Sequence, residues 1–227
     1  MHEVEIVPAI LPKDFFELQS KLSLTASLFQ SVQIDICDGI FVPSKTWPYT
    51  GDSGKYEDIV SEKKGLPFWE NLDFEIDLMV KDIGVVGDFV RAGASRIVLH
   101  IESAGADSIS EAIKEWKHAV DIVLATNINT SISYLETFLH EVKEVQCMGI
   151  GRIGFQGEPF DKRVLEKVAA LSKSHSDITI SVDGGVSLQN ARVLVDSGAS
   201  RLVVGSALFK GDKSIKETLE EFKSIVA

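Results

Sequence analysis

The 227-residue sequence has only two cysteines, Cys37 and Cys147, and no long hydrophobic run. The thiols lie far apart in apolar stretches, and this spacing excludes a disulfide framework and a zinc finger. We therefore expect two reduced, buried thiols in a cytosolic protein. No apolar run approaches the ~20 residues that a membrane span requires. The N-terminus lacks the basic segment and cleavage site of a signal peptide, so a cytoplasmic location is expected.

A shortage of positive charge restricts the possible partners. The sequence has 23 Lys and Arg against 34 Asp and Glu, a formal net charge of -11. Such a surface repels nucleic acid and anionic lipid, so neither is an expected partner. No G-x-G-x-x-G follows the first predicted strand, and neither nicotinamide nor flavin is expected as a cofactor. Any bound phosphate must be held locally, by backbone amides or by one or two cations.

Short runs rich in Val and Ile alternate along the chain with amphipathic segments. This alternation predicts parallel strands, each followed by a helix. The predicted strands are 4–11, 31–39, 73–80, 96–102, 120–127, 145–151, 178–185 and 201–208. Eight near-equal units favour a closed (β/α)8 barrel, the TIM-barrel fold, over an open doubly wound sheet. Because no linker or abrupt change in composition interrupts the pattern, a single domain is predicted over residues 1–227.

One connection is much longer than the others. Residues 42–72 contain three prolines and the aromatic residues Trp47, Tyr49, Phe68 and Trp69. Long loops in compact domains are usually functional. An active-site cover and a dimer contact are equally consistent with this predicted loop, and a homo-oligomer is expected.

Polar residues interrupt the apolar pattern of several strands. Period-two alternation directs the apolar residues toward the helices and the others into the barrel. The inward set contains Gln33, Asp35, Cys37, Glu75, Asp77, Met79, His100, Thr179, Ser181 and Asp183. Ionisable groups buried together must be paired, protonated or metal-bound. Asp35 and Asp183 are therefore candidates for chemistry, whereas Glu75 and Glu102 fit the barrel floor or rim.

Three turns rich in small residues follow the last three predicted strands, at 151–157, 183–185 and 205–209. Glycine lets backbone N–H groups approach an anion, and the last two loops of such barrels often bind phosphate. The predicted phosphate site comprises Gly154, Phe155, Gln156, Gly157, Gly184, Gly185, Gly205 and Ser206. Arg152 is either its cation or a rim residue. His100 is a candidate substrate contact or a hydrogen-bonded structural residue, and the glycines could also serve only to turn the chain.

Over essentially its whole length the chain resembles the ribulose-phosphate 3-epimerase family. The matching segments are PAIL (8–11), QIDICDGIFVP (33–43), EIDLM (75–79), HIE (100–102), VDGG (182–185) and GSALF (205–209). Family members are isomerases that invert C3 of a pentulose phosphate by removing the proton beside the C2 ketone. The resemblance implies a sugar-phosphate substrate, with Asp35 and Asp183 as the acid/base pair that works through an enediolate.

The chain departs from the family where a metal is implied. The resemblance implies a metal held by two histidines and two aspartates, but Gln33 and Asp77 occupy the histidine positions, and the first-strand serine is Ala9. An oxygen-only set of Gln33, Asp35, Asp77 and Asp183 prefers Mg²⁺ or Mn²⁺ over Zn²⁺. Without a metal, the three carboxylates would repel one another, and the pKa of at least one of them should rise. A protonated Asp77 could then donate a hydrogen bond to an enediolate oxygen.

Three functions are compatible with these residues. The first is a sugar-phosphate 3-epimerase. The second is a decarboxylase or aldolase on the same barrel, although the D-x-K-x-x-D pattern of those enzymes is absent, because the first lysine after Asp77 is Lys81. The third is a non-catalytic phosphosugar-binding protein that lost the metal centre.

Overall fold

The structure is a computed structural model that describes residues 4–51 and 53–227. The described strands are β1 (Glu5–Ile10), β2 (Ser31–Cys37), β3 (Asp73–Met79), β4 (Ala94–His100), β5 (Asp121–Thr126), β6 (Glu144–Met148), β7 (Thr179–Asp183) and β8 (Arg201–Val204). The described α-helices are α1 (Phe15–Thr25), α2 (Ser53–Val60), α3 (Val86–Arg91), α4 (Ala106–Trp116), α5 (Ile132–Glu136), α6 (Arg163–Ser174), α7 (Ala191–Asp196), α8 (Ser206–Phe209) and α9 (Ile215–Val226). A short 3-10 helix spans Ile83–Val85.

The strands form one closed ladder in chain order, β1-β2-β3-β4-β5-β6-β7-β8, with parallel pairing. This order is that of a (β/α)8 barrel and confirms the predicted fold class. An open doubly wound sheet is excluded because it would leave two unpaired edges. The last unit differs from the prediction of one helix per strand, since β8 is followed by both α8 and α9. No helix among the described residues has the length and apolar character of a membrane span.

Contacts divide the chain into two compact units, the first of which is Ala9–Val123. Within it α1 begins at Phe15 because the Asp14 side chain accepts the Glu17 N–H at 2.7 Å, an N-cap that satisfies a free helix donor. Leu18 and Leu22 of α1 are fully buried. Strands β2 and β3 are buried along nearly their whole length, as expected for parallel strands covered on both faces.

The second unit combines residues 4–8 with Leu124–Ala227. Its helices bury one apolar stripe each, which on α6 consists of Val164, Val168 and Leu171. Helix α9 begins with a capping box, in which Ser214 and Glu217 each accept the other's backbone N–H. The single domain over residues 1–227 stays a prediction.

Ion pairs occupy the N-terminal halves of several strands. In the first unit, Glu75 is 1% exposed and lies 2.9 Å from the Arg96 guanidinium. In the second, buried Arg201 lies 2.7 Å from Glu5 and 2.6 Å from Glu144. A buried carboxylate is stable only when it is paired. Glu75 is thus a paired carboxylate near the N-terminal end of β3, and the floor at that end was one of the two positions, floor or rim, predicted for it.

The long connection 42–72 is not a loop throughout, because α2 occupies its middle. Its first part is tied to β2 through the buried Thr46, whose hydroxyl accepts the Cys37 N–H at 2.8 Å. The same hydroxyl donates to the Asp35 carbonyl at 2.9 Å, and the Thr46 N–H donates to the Cys37 carbonyl at 3.1 Å. Thr46 thus fixes the backbone on both sides of Ile36, at the end of β2.

Aromatic residues hold the same connection against neighbouring helices. The Trp47 ring lies 5.4 Å from Phe15 and 5.8 Å from Tyr56, and Tyr56 lies 5.6 Å from Phe89, between ring centroids. Such tilted and edge-on pairs add to the energy of burial. Trp47 is therefore a core residue, whereas Trp69 is 64% exposed. A role of this connection as a cover or as a dimer contact stays a prediction.

Asp38 organises the turn that follows β2. One carboxylate oxygen accepts the N–H groups of Ile40 at 2.7 Å and Phe41 at 2.9 Å, and the other accepts the Lys81 N–H at 2.7 Å. Asp38 is itself buried. Two of these charge-assisted hydrogen bonds hold the turn after β2 together, and the third joins it to the turn after β3.

Replacing Asp38 by Ala is expected to lower the free energy of unfolding by about 3 kcal/mol, because three backbone donors lose their acceptor. Urea unfolding followed by circular dichroism measures this loss. Asp82→Ala is the matched control. This carboxylate is exposed, and within the described part of the chain its one hydrogen bond is from the Gly84 N–H, at 2.9 Å. Equal losses in the two variants would contradict the role of Asp38.

Candidate active site

Asp35 and Gln33 lie two residues apart on β2. Gln33 is fully buried, and Asp35 is 7% exposed. The Gln33 amide Nε2 donates to Asp35 Oδ1 at 2.9 Å. This hydrogen bond orients the carboxylate and satisfies one of its oxygens. The two residues were predicted on one inward face, and the structure brings them into contact.

Asp77 stands opposite Asp35 in the β2–β3 register. Its Oδ1 lies 3.0 Å from Nε2 of His100, the last residue of β4, and both side chains are completely buried. The sequence left His100 open between a substrate contact and a hydrogen-bonded residue. The hydrogen bond exists in the structure, and its partner Asp77 was not predicted.

Asp183 is the last residue of β7 and is 8% exposed. Gln146 on β6 donates from Nε2 to Asp183 Oδ2 at 3.4 Å, and the Asp183 carbonyl accepts the Gly149 N–H at 2.6 Å. Gln146 was missed from the sequence. The signal that could have found it is an amide within the apolar run 145–151, since an amide within an apolar run also marks Gln33.

Asp35, Asp77 and Asp183 form the aspartate cluster, in which one carboxylate oxygen of each lies within 4.8 Å of the others. All three residues are buried. Three carboxylates in a dry site are stable only with a compensating proton or cation. Carboxylate oxygens at this spacing fit a hard divalent cation, and no imidazole or thiolate belongs to the group, so it suits Mg²⁺ or Mn²⁺ better than Zn²⁺.

Neither cysteine adds a soft ligand to this group. Both are free and buried, as predicted. Burial raises the pKa of the Cys37 thiol, and the neighbouring Asp35 and Asp77 carboxylates raise it further. Since only the thiolate binds metal well, a protonated Cys37 leaves the site to oxygen ligands.

Burial raises the pKa of Cys147 from 9.0 to about 12. The unfolded thiol therefore loses its proton at a lower pH than the folded one, and stability falls as the pH rises from 9 toward 12. Across that window the wild type should lose about 1.4 kcal/mol more per pH unit than Cys147→Ala. Urea unfolding at several pH values measures both slopes. Parallel slopes would contradict a buried, protonated Cys147.

The loop from Gly149 to Asp161 closes on itself. An antiparallel bridge joins Ile150 to Phe160 at its base. Nearer its tip, the Arg152 guanidinium lies 2.8 Å from Glu158 and 4.2 Å from the centre of the Phe155 ring. Arg152 is thus compensated by a carboxylate of its own loop. Gly154 and Gly157 both have positive φ, which explains why glycine occupies these turns.

Gly184 and Gly185 follow Asp183 with φ of +93° and +69°. A Cβ on Gly184 would lie 2.7 Å from the Ile150 side chain, and one on Gly185 would lie 2.9 Å from Phe160 Cα. Loop packing therefore requires both glycines whether or not they bind phosphate. Gly205 directly precedes Ser206, the first residue of α8. Phosphate binding by these residues, Phe155 and Gln156 stays a prediction.

Comparison with known sequences identifies relatives along the whole chain. The sequence profile of the ribulose-phosphate 3 epimerase family matches residues 5–209. Ribulose-phosphate 3-epimerase of Serratia marcescens is 31% identical over 217 residues, which cover 92% of this chain and 97% of the relative. The enzyme of the same name from Escherichia coli K12 is 30% identical over 235 residues, with 100% of this chain and 98% of the relative covered.

Solved structures support the fold alone, because their sequence identities are low. The 3-keto-L-gulonate-6-phosphate decarboxylase of Vibrio cholerae has a TM-score of 0.72 at 14% identity, with 99% of this chain and 98% of that one covered. The 3-hexulose-6-phosphate synthase of Salmonella typhimurium has a TM-score of 0.68 at 14% identity, with 98% of both chains covered. Both superpose over nearly the whole barrel.

Proposed function

The chain belongs to the ribulose-phosphate 3-epimerase family and is an enzyme of the isomerase class, and from this premise we propose that it inverts C3 of a ketose phosphate of the ribulose 5-phosphate type. Removal of the proton beside the C2 ketone gives an enediolate, and a proton returned to the opposite face completes the epimerisation. The observation that carries this proposal is the pair of buried carboxylates, Asp35 and Asp183, within the aspartate cluster.

Asp35 and Asp183 are proposed as the two acid/base groups. Inversion needs one group on each side of the reacting carbon. Asp35 retains 7% exposure and Asp183 retains 8%, whereas Asp77 has none. A group that exchanges a proton with a substrate needs an accessible oxygen. Asp77 is completely buried and so exposes no oxygen, which favours Asp35 and Asp183 over it as the proton carriers.

The aspartate cluster and Gln33 are proposed to bind Mg²⁺ or Mn²⁺. A divalent cation there would supply positive charge to stabilise the developing enediolate oxygen. Asp35 would be oriented by the Gln33 amide and Asp183 by the Gln146 amide, and Asp77 would serve as a ligand alone. Titration calorimetry with Mn²⁺ near neutral pH tests this assignment. Absence of binding would overturn it.

The substrate phosphate is proposed to bind at the turns after β6, β7 and β8. Supporting this position, backbone N–H groups of Gly-rich turns accommodate an anion without a large cationic patch. Arg152 would have to exchange its Glu158 partner for the phosphate, since the two side chains are in contact at 2.8 Å. His100 is less suited to the phosphate, because its side chain is completely buried.

Proton exchange at the substrate carbon tests the proposed function. The protein is incubated with D-ribulose 5-phosphate in D₂O, with and without Mn²⁺ or Mg²⁺, and the C3 proton is followed by NMR. Loss of that proton together with formation of xylulose 5-phosphate is the expected result. No exchange with any metal would contradict epimerisation of this sugar.

A differently specific phosphosugar enzyme is the second candidate. It is favoured by the changes on β1, β2 and β3, where Ala9 pairs in register with Gln33 and the second histidine position is Asp77. These changes alter the surroundings of the reacting carbon and leave the scaffold intact. Exchange with a panel of other ketose phosphates, but not with ribulose 5-phosphate, would establish this alternative over the first and over a non-catalytic binding protein.

A cytoplasmic homo-oligomer is also proposed. The two free, buried thiols support a reducing compartment. The exposed Trp69 and the partly exposed Tyr49, both in the connection 42–72, support a subunit contact. Light scattering of the wild type and of Trp69→Ser measures the assembly, and a monomeric wild type would contradict it.

A further inference from the structure

His100 is held by contacts to its backbone and to its ring. Its carbonyl accepts the N–H of Ser103 at 3.0 Å and the Ser103 hydroxyl at 2.8 Å. The Phe41 ring packs against the imidazole with 5.6 Å between centroids. The ring nitrogen Nε2 lies 3.0 Å from Asp77 Oδ1. A completely buried imidazole held in this way is poorly suited to bind a substrate phosphate that arrives from solvent.

We propose that His100 is a positioning residue that orients the Asp77 carboxylate within the aspartate cluster and does not contact the substrate. This inference rests on the proposed oxygen-ligand site. It assigns a function to a contact specific to this chain, because Asp77 occupies a position at which the resemblance implies histidine. The contact lies entirely between neighbouring strands β3 and β4.

A carboxylate at this position needs a partner that fixes its orientation. The last torsion of an aspartate is broad, so an unassisted carboxylate samples many orientations. A hydrogen bond from Nε2–H to Oδ1 restricts that torsion and leaves the other oxygen to face its neighbours. Partners that orient metal ligands in this way affect metal affinity strongly when they are removed. His100 therefore acts on the cation through Asp77.

Two amide variants separate the hydrogen bond from the bulk of the ring. Gln at position 100 places its amide nitrogen near the site of Nε2, whereas Asn places it near Nδ1. His100→Asn should weaken Mn²⁺ binding by about 10–100-fold, and His100→Gln should retain most of the affinity. The readout is Mn²⁺ binding to the full chain by calorimetry, with thermal melting as the check on folding. In exchange assays His100→Asn should lower kcat and leave KM unchanged, since His100 does not touch the substrate.

Each outcome supports or overturns the inference. Equal Mn²⁺ affinity in wild type, His100→Asn and His100→Gln overturns it, and so does equal weakening in both folded variants. A wild type that binds no Mn²⁺ overturns the oxygen-ligand site and this inference together. A wild type that binds Mn²⁺ without C3 exchange contradicts the proposed epimerisation alone, and the variants still decide the role of His100.

One measurement needs no variant. In wild-type protein with ¹⁵N-labelled histidine, the His100 ring resonances should move on titration with Mg²⁺, because the ring contacts a proposed ligand. The exposed His140, whose side chain is 74% exposed, serves as the internal control. Unchanged His100 resonances under saturating Mg²⁺ would overturn the inference even if both variants failed to fold.

Discussion

Asp183→Asn is expected to lower kcat for C3 epimerisation by about 10²–10⁴-fold, the contribution typical of a general acid or base. Asparagine keeps the size of the side chain but cannot accept the substrate proton. The fold should be retained, because the side-chain contact with Gln146 is long, at 3.4 Å, and Gln146 can present its oxygen to the new amide. Proton exchange in D₂O measures the activity, and urea unfolding measures the stability.

Asp196→Asn is the matched control for this variant. It is the same chemical change on α7, at a side chain that is 57% exposed and pairs with Arg192 at 3.0 Å. Exposed pairs of this kind contribute little to stability. Full activity is expected for the control. Full activity of Asp183→Asn as well would remove Asp183 from the mechanism.

The double variant Gln33→His/Asp77→His is expected to reverse the metal preference of the site toward Zn²⁺. Two imidazoles beside Asp35 and Asp183 replace an oxygen-only set by one containing borderline-soft nitrogen donors. Loss of an outer partner of a metal ligand already changes affinity by 10–100-fold, so two new direct ligands should raise zinc affinity by at least about 100-fold. Competition with a coloured zinc chelator measures the change.

Gln30→His is the control for non-specific zinc binding by an added histidine. Gln30 is exposed, precedes β2, and contacts Asp73 at 3.3 Å, away from the aspartate cluster. Its zinc affinity should equal that of the wild type. If the double variant gains no zinc affinity over this control, side chains at positions 33 and 77 do not converge on one cation, and the proposed metal site is wrong.

The barrel could be predicted from local patterns because its strands satisfy simple rules. Parallel strands buried on both faces read as short Val- and Ile-rich runs, and β2 and β3 have that pattern with polar residues at alternate positions. Alternation alone placed Asp35 and Asp77 on the inward face. The observed register of β2 and β3 then places the two residues opposite each other.

Contacts between distant residues could not be predicted in the same way. The hydrogen bond between His100 and Asp77 joins β3 and β4, whose register shifts near Phe74, and no local pattern encodes such a shift. The helix α2 was missed because prolines and aromatics dominate the connection around it. Likewise, the contact of Arg152 with Glu158 depends on how one loop folds back on itself.

The Arg152–Glu158 pair affects how the salt concentration changes the rate at which an anionic substrate meets the protein. Since Glu158 neutralises Arg152 at 2.8 Å, this pair adds no attraction for a distant phosphate dianion. The remaining field belongs to a chain of formal charge -11, and it opposes the approach of an anion. Mobile ions shorten the range of that repulsion to about 8 Å at physiological ionic strength. We therefore expect encounter with a sugar-phosphate substrate to be faster in salt than in dilute buffer, the reverse of an enzyme that attracts its substrate from a distance.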